Sequence, residues 1–409
     1  MAINKIVEHS AEKLDLDHWI GPKPSLLQMS AVLVVGTVAL IIAGVQPLVL
    51  GALVEEHRLS AMALGWTVTS EFLAMGLGVG LAESLFEPDQ LRLRGLIAAA
   101  VLFAANIVAT GQSDVGMIIA RGVAGLAEGV LGWIVSLMIA RASTPARLNA
   151  IFLVAQGAAQ ILFAAILPLT LMKTLGANGG FYALAGAAIV GGSALLVIPD
   201  RMMPLPVLPD ESRRRSGGKL SRAGLFSLVA VVLLYAFFIG FFSYLAQLAG
   251  QAMLGPEQAG FAVAAALGSS IIGSGVAAAA AKRISYYAVY LVCLPVNLMV
   301  LAALATLPTQ PVFMALSVVF GFFWGFFMPF QLPLVIEADP TRRAAIFVPG
   351  AMALGAAGGP LLCSFFVNRV DSRGVLLVSG LCLLASFIIA TVLHLRLAVD
   401  RRRLVEGCP

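Results

Sequence analysis

Charge is what this 409-residue sequence has least of: Asp, Glu, Lys and Arg together make up 11% of it, where a water-soluble domain carries about 25%. Hydrophobic residues make up 60% and mean hydropathy is +0.97, which excludes a soluble globule. Cysteines are few and have no CxxC spacing; Cys293, Cys363 and Cys382 lie in apolar runs and Cys408 near the end, the pattern of small hydrophobes rather than ligands. The histidines, His9, His18, His57 and His394, are scattered at segment ends. Neither a metal nor a cofactor is therefore expected. No Ser/His/Asp set is apparent at bilayer depth, which speaks against a membrane enzyme. No GxxxxGK[ST] phosphate loop occurs, which speaks against an ATP-driven pump. The first 25 residues are polar and of mixed charge, unlike a cleavable signal peptide, so the first apolar run is expected to stay in the mature protein.

What is present is a series of long apolar runs. They fall at about 26–53, 61–83, 95–112, 115–140, 149–172 and 179–199, then at about 223–249, 258–281, 286–307, 311–336, 344–368 and 374–396. Each is long enough to cross hydrocarbon roughly 30 Å thick. Between the sixth and seventh runs lies a Pro-, Gly- and Arg-rich stretch, 200–222, read as a solvated linker. The expected organisation is an N-terminal tail (1–25), a six-helix bundle (26–199), the linker (200–222), a second six-helix bundle (223–397) and a C-terminal tail (398–409).

The pI near 9.2 is an orientation signal and not a nucleic-acid patch, because the basic residues sit between apolar runs. With both termini on one side, that side holds 21 Lys and Arg; the other holds Arg58, Lys173, Arg369 and Arg373, and Arg121 lies within the membrane. Cationic loops stay cytoplasmic during insertion. Both termini are therefore expected in the cytoplasm, with the chain as a multi-pass protein of a bacterial inner membrane.

Two charges interrupt the run from Val115 to Ala140, VGMIIARGVAGLAEGVLGWIVSLMIA. Arg121 and Glu128 are seven residues apart, so on a helix they point within about 20° of each other, about 10 Å apart along the axis. Gly125 and Gly132 share that face, with Gly129 beside them. A charge in hydrocarbon costs at least ~2.5–3.5 kcal/mol, so this face turns inward. A third mid-span charge, Glu71, lies in WTVTSEFLAMGLG of the second run; the C-terminal half has none near mid-depth. Counting rise per residue from the outer ends, Glu71 lies about 15 Å deep, Glu128 about 20 Å and Arg121 about 9 Å. An arginine side chain spans the gap to either carboxylate, not necessarily to both. Such carboxylates can take a proton on one side of a membrane and release it on the other. Glu71 and Glu128 are thus the candidate proton carriers, with Arg121 tuning them or holding an anionic substrate. The other reading is a structural ion pair tying the second segment to the fourth.

Six plus six helices about a central loop resemble the major facilitator superfamily (MFS) over nearly the whole length. Arg121, Gly125 and Gly129 match the Arg-x-x-x-Gly-x-x-x-Gly of the family's fourth helix. The loop after the second segment, GLAESLFEPDQLRLRG, keeps acidic Glu83 and Glu87 and basic Arg92 and Arg94 but not the family's spacing; its counterpart in the second half keeps only Lys282 and Arg283. The Gly-Pro signature of many antiporters is missing from the fifth segment, whereas the eleventh has Gly350, Gly355, Gly358, Gly359 and Pro360. The resemblance implies an all-α membrane fold of twelve helices in two pseudo-symmetric bundles around a midplane site. Mapped by topology, it implies substrate contacts at Gln46, Gln156, Gln160, Tyr235, Tyr244, Ser269, Ser270, Trp324 and Gln331, each of which reads equally as an interhelical tie or packing. Pro47, Pro329 and Pro333 offer kinks.

The expected function is secondary active transport of a small organic solute, an organic anion if Arg121 binds it, by proton-coupled alternating access. The partners are then the solute, protons and the lipid bilayer, with no nucleic acid and with a monomer as the unit. Proton-antiport efflux of hydrophobic compounds is the nearest alternative, and a receptor or scaffold without transport the more distant one.

Overall fold

A computed structural model of the chain describes residues 19–142, 145–203, 221–280, 283–339, 344, 347–368 and 371–406. The tail up to residue 18, most of the basic linker and Lys282 lie outside the described residues. Every described element is helical. The first half comprises α1 (Leu26–Glu55), α2 (Ala61–Leu85), α3 (Leu91–Ala109), α4 (Asp114–Arg141), α5 (Pro145–Ile166) and α6 (Ala177–Leu195). The second comprises α7 (Arg222–Ser243), α8 (Pro256–Ala280), α9 (Tyr286–Ala305), α10 (Gln310–Phe327), α11 (Val348–Ser364) and α12 (Gly374–Glu406).

Among the described residues, ten helices are long and apolar enough to cross a membrane by length and composition. The other two fall short for plain reasons. Asn178 and the glycines at 179, 180, 186, 191 and 192 dilute α6, and α11 has only 17 residues. The chain is a multi-pass membrane protein.

Local chemistry sets the ends. Ser25 starts α1 with a capping box: its hydroxyl accepts from the Gln28 N–H, and Gln28 Oε1 accepts from the Ser25 N–H. Ser60, Ser221 and Ser285 cap α2, α7 and α9 with their hydroxyls. The seventh apolar run does not form one helix but breaks at Tyr244 before a short helix, Leu245–Gln251. The Ser243 hydroxyl donates back to the Ile239 carbonyl at 2.7 Å just before the break, a bond that bends helices. The tenth run tightens to a 3₁₀ turn at Met328–Phe330, around Pro329, and resumes as Gln331–Ala338. α12 runs on to Glu406, past the apolar stretch that ends near 396, because Arg and Leu are good helix formers in water as well.

The halves meet at the end away from the termini. There Gly65 of α2 lies against the Pro360 carbonyl and the Tyr244 hydroxyl. Thr69 Oγ1 donates to the Ala357 carbonyl at 2.7 Å, Tyr244 donates to the Ala61 carbonyl at 3.1 Å, and Trp66 meets Phe365 edge to face. On the opposite flank Gly260 of α8 sits on Pro168 and the Ala164 carbonyl. Toward the terminal end, Gly76 and Gly80 of α2 and Gly350 of α11 face open space among the described residues. The junction is closed at the end away from the termini.

Candidate functional site

The cost of burying charge predicts that Glu71, Arg121 and Glu128 converge, and they do. The helices can approach because glycine leaves room. Gly125 and Gly129 of α4 ride directly on the Glu71 and Met75 carbonyls of α2, where any Cβ would collide with backbone. This contact brings α2 to α4 at the level of the charges.

One guanidinium nitrogen serves both acids. Arg121 Nη2 donates to Glu71 Oε1 and, at 3.2 Å, to Glu128 Oε1. Its Nη1 donates to Asn106 Oδ1 of α3 at 2.8 Å, and the Asn106 amide is fixed in turn by donating to the Leu102 carbonyl at 2.9 Å. Gln46 of α1 donates its amide to Glu71 Oε2 at 2.7 Å. Gln46, Glu71, Asn106, Arg121 and Glu128 are each at most 2% exposed. Two polar atoms in the set have no partner among the described residues: Arg121 Nε and Glu128 Oε2.

Two features decide what this arrangement can do. First, two carboxylates share one guanidinium, so the fully ionised set carries one net negative charge on side chains at most 2% exposed; an unbalanced buried charge costs several kcal/mol. A single proton on either carboxyl makes the set neutral. Second, the carboxyls are unequal. Glu71 takes a donor on each oxygen, whereas Glu128 takes one long bond and leaves Oε2 bare. Every partner comes from α1–α4, so the set lies inside the first half and not in the seam between halves.

A family model for the major facilitator superfamily matches residues 29–348. The chain belongs to that superfamily. Among solved structures, the nucleoside transporter NupG is similar with a TM-score of 0.67 at 11% identity, over 90% of this chain and 98% of that one. A D-xylose–proton symporter gives 0.65 at 15% identity, over 89% and 96%. A structure of the proton-dependent oligopeptide transporters gives 0.68 at 14% identity, over 92% and 99%. At these identities the likeness concerns the fold. No curated protein sequence matches significantly.

Within this MFS fold the remaining candidates are placed as follows. Gln46 is absorbed into the charged set. Gln160 donates to the Leu40 carbonyl at 2.7 Å, tying α5 to α1, and Gln156 Oε1 is buried without a partner. Tyr235 packs its Cβ against Gly355, and Tyr244 bridges the halves. The Ser269 and Ser270 hydroxyls bond back to the Ala266 and Leu267 carbonyls. Trp324 stacks on Phe238 with centroids 5.9 Å apart. Gln331 accepts from the Tyr290 hydroxyl at 3.0 Å. The residue that sequence reasoning missed is Asn106. Its one signal is an amide well inside the third apolar run, fifteen residues before Arg121.

Proposed function

We propose that this MFS protein is a proton-coupled secondary transporter of a small organic solute. It works by alternating access across twelve spans, α6 and α11 included, with both termini in the cytoplasm. The observation that carries the reading is the charge imbalance of the buried set: two carboxylates, one arginine, and room for one proton to make it neutral. Glu128, with a bare oxygen, is the proton's site, and Glu71 is the carboxylate whose two oxygens Arg121 and Gln46 engage.

The same helix connects that proton to the junction between halves. Glu71 and Thr69 are two residues apart on α2, and Thr69 holds α11 through the Ala357 carbonyl. Loss of the proton leaves a net charge between α2 and α4 that is relieved only by water entry or by separation of the helices. Either event displaces the segment of α2 that closes the junction. Arg121 is fully buried and spends both terminal nitrogens on Glu71, Glu128 and Asn106, and the proposal does not include an organic anion as substrate.

The test starts with a thermal-stabilisation screen of purified protein to find the solute, since specific binding raises apparent stability by mass action. Uptake of that solute into proteoliposomes is then driven by an imposed pH gradient. Glu128→Gln keeps the shape and fixes the neutral state. Exchange of solute down its own gradient is expected to survive, while accumulation driven by the pH gradient is lost. Unchanged gradient-driven accumulation in both Glu128→Gln and Glu71→Gln overturns the proposal.

A further inference from the structure

A second basic site lies at the terminal end of the first half, remote from the charged set. The chain enters α1 through a strap, residues 19–25, that folds under the end of α4. The turn needs Gly21, whose φ of +87° favours glycine and whose missing side chain admits Met203. The Ile20 N–H donates to the Arg141 carbonyl at 3.0 Å, and Arg141 Nε donates to the Met203 carbonyl at 2.6 Å. These bonds join the strap, the end of α4 and the segment after α6.

They enclose a cavity of about 250 Å³, lined by Trp19, Lys23, Gln28, Arg141, Arg201 and Met203 among others. Three of its lining side chains are cationic and none is acidic. Arg141 is 4% exposed; its guanidinium is held by the Leu137 and Met203 carbonyls, and no carboxylate pairs with it among the described residues. Glu83 acts on Arg141 by charge without bonding to it and accepts from the Trp133 indole at 2.7 Å, while the Asp200 carboxylate accepts from the Arg92 N–H at the start of α3. Arg141, buried at the wall of the cavity and bonded only to carbonyls among the described residues, stands with two exposed cations and an indole, a donor set that suits an anion. The cavity lies where α4 ends and α1 begins, and basic pockets between spans suit phosphate-bearing groups.

We propose that this cavity binds a phosphate-bearing anion, with Arg141 as the fixed donor and Lys23 and Arg201 closing over it. A phospholipid headgroup and a soluble phosphate share this chemistry. The site would clamp the strap onto α4 and so fix the entry of α1 into the bundle.

The test measures thermal stabilisation of the purified full chain in detergent. The probes are short-chain phosphatidylglycerol, short-chain phosphatidylcholine and inorganic phosphate, each titrated separately. Lys23→Gln/Arg201→Gln alters two exposed residues and is the main variant; Arg141→Gln is added with size-exclusion as a check on folding. Saturable stabilisation by phosphatidylglycerol but not phosphatidylcholine, weakened about tenfold or more in the double variant, supports the site with lipid as its occupant. The size follows from roughly fivefold per basic residue beside an anionic headgroup. The same sensitivity toward inorganic phosphate, with no response to phosphatidylglycerol, supports the site with a soluble occupant. Stabilisation by neither anion, or stabilisation indifferent to the double substitution, overturns it.

Discussion

Gly125 and Gly129 of α4 ride on the Glu71 and Met75 carbonyls of α2; in the second half Gly321 and Gly325 of α10 ride on the Ala266 and Ser270 carbonyls of α8. The starts of α2 and α8 and of α3 and α9 are 195 residues apart, and those of α1 and α7 and of α4 and α10 are 196 apart. With these offsets Gln46, Glu71, Asn106, Arg121 and Glu128 correspond to Phe242, Ala266, Leu301, Ser317 and Trp324. Not one charge survives the comparison. Where the first half holds an ionic set, the second holds rings: Trp324 lies 5.2 Å from Phe242 and 5.9 Å from Phe320, and Phe241 lies 4.5 Å from Phe320. The glycine seams that bring the helices together are therefore independent of what fills the space between them. Charge is costly in hydrocarbon and aromatic packing is not. The half that keeps the costly residues is the one to examine for coupling.

The largest effect is expected from removing the one cation. Arg121→Ala leaves two carboxyls and an asparagine facing an empty space, and truncating one partner of a buried ion pair costs about 3–5 kcal/mol. Its counterpart Ser317→Ala loses only a hydroxyl that bonds back to the Phe313 carbonyl of its own helix, a bond that adds nothing to helix stability. Thermal unfolding in detergent should show a large drop for the first and almost none for the second. Equal losses would mean that the two halves differ in composition but not in energetic design.

The seams give the next test, and here the halves should agree. Gly129→Val and Gly325→Val each force a branched side chain into a backbone carbonyl. Overpacking of this kind costs about 1–3 kcal/mol. Both variants should lose stability by similar amounts, and Gly132→Val, which meets open space, should lose little. A loss confined to Gly129→Val would show that the α2–α4 seam is special because of its charges and would break the symmetry argument.

How much of this was legible in the sequence follows the same line between costly and cheap residues. Arg121, Glu71 and Glu128 were readable because an ion inside an apolar run has few tolerable places; the fourth segment's glycines told which face it used. That one nitrogen of Arg121 would serve both acids was not readable, since rise per residue gives depth but not the side-chain path. Asn106 and Gln46 were harder still. An amide in an apolar run is cheap enough to serve as a tie, a capping group or a ligand, and only its neighbours across three helices decide. The break at Tyr244 was hidden for a similar reason, because hydropathy does not register a hydroxyl bonding back to its own helix. The membrane-crossing helices, in contrast, were visible as apolar runs, and the family match bears out the superfamily assignment.

The smallest predicted effect concerns the link between the charged set and the junction. Thr69→Val keeps shape but deletes the bond to the Ala357 carbonyl, worth about 0.6 kcal/mol in membrane proteins. That is too little to unfold the protein, yet enough to shift a two-state equilibrium roughly threefold by the relation of 1.4 kcal/mol to a factor of ten. The corresponding position in the second half, Ala264, has no hydroxyl to lose, so the device exists on one side only. Distances between spin labels on the loops at the closed end should show a larger open population in Thr69→Val than in the wild type. If Glu71 communicates through α2, Glu71→Gln and Thr69→Val should shift that population non-additively, because residues sharing one helix and one network couple. Strictly additive shifts would detach the buried acids from the junction and leave them as an interhelical tie within the first half.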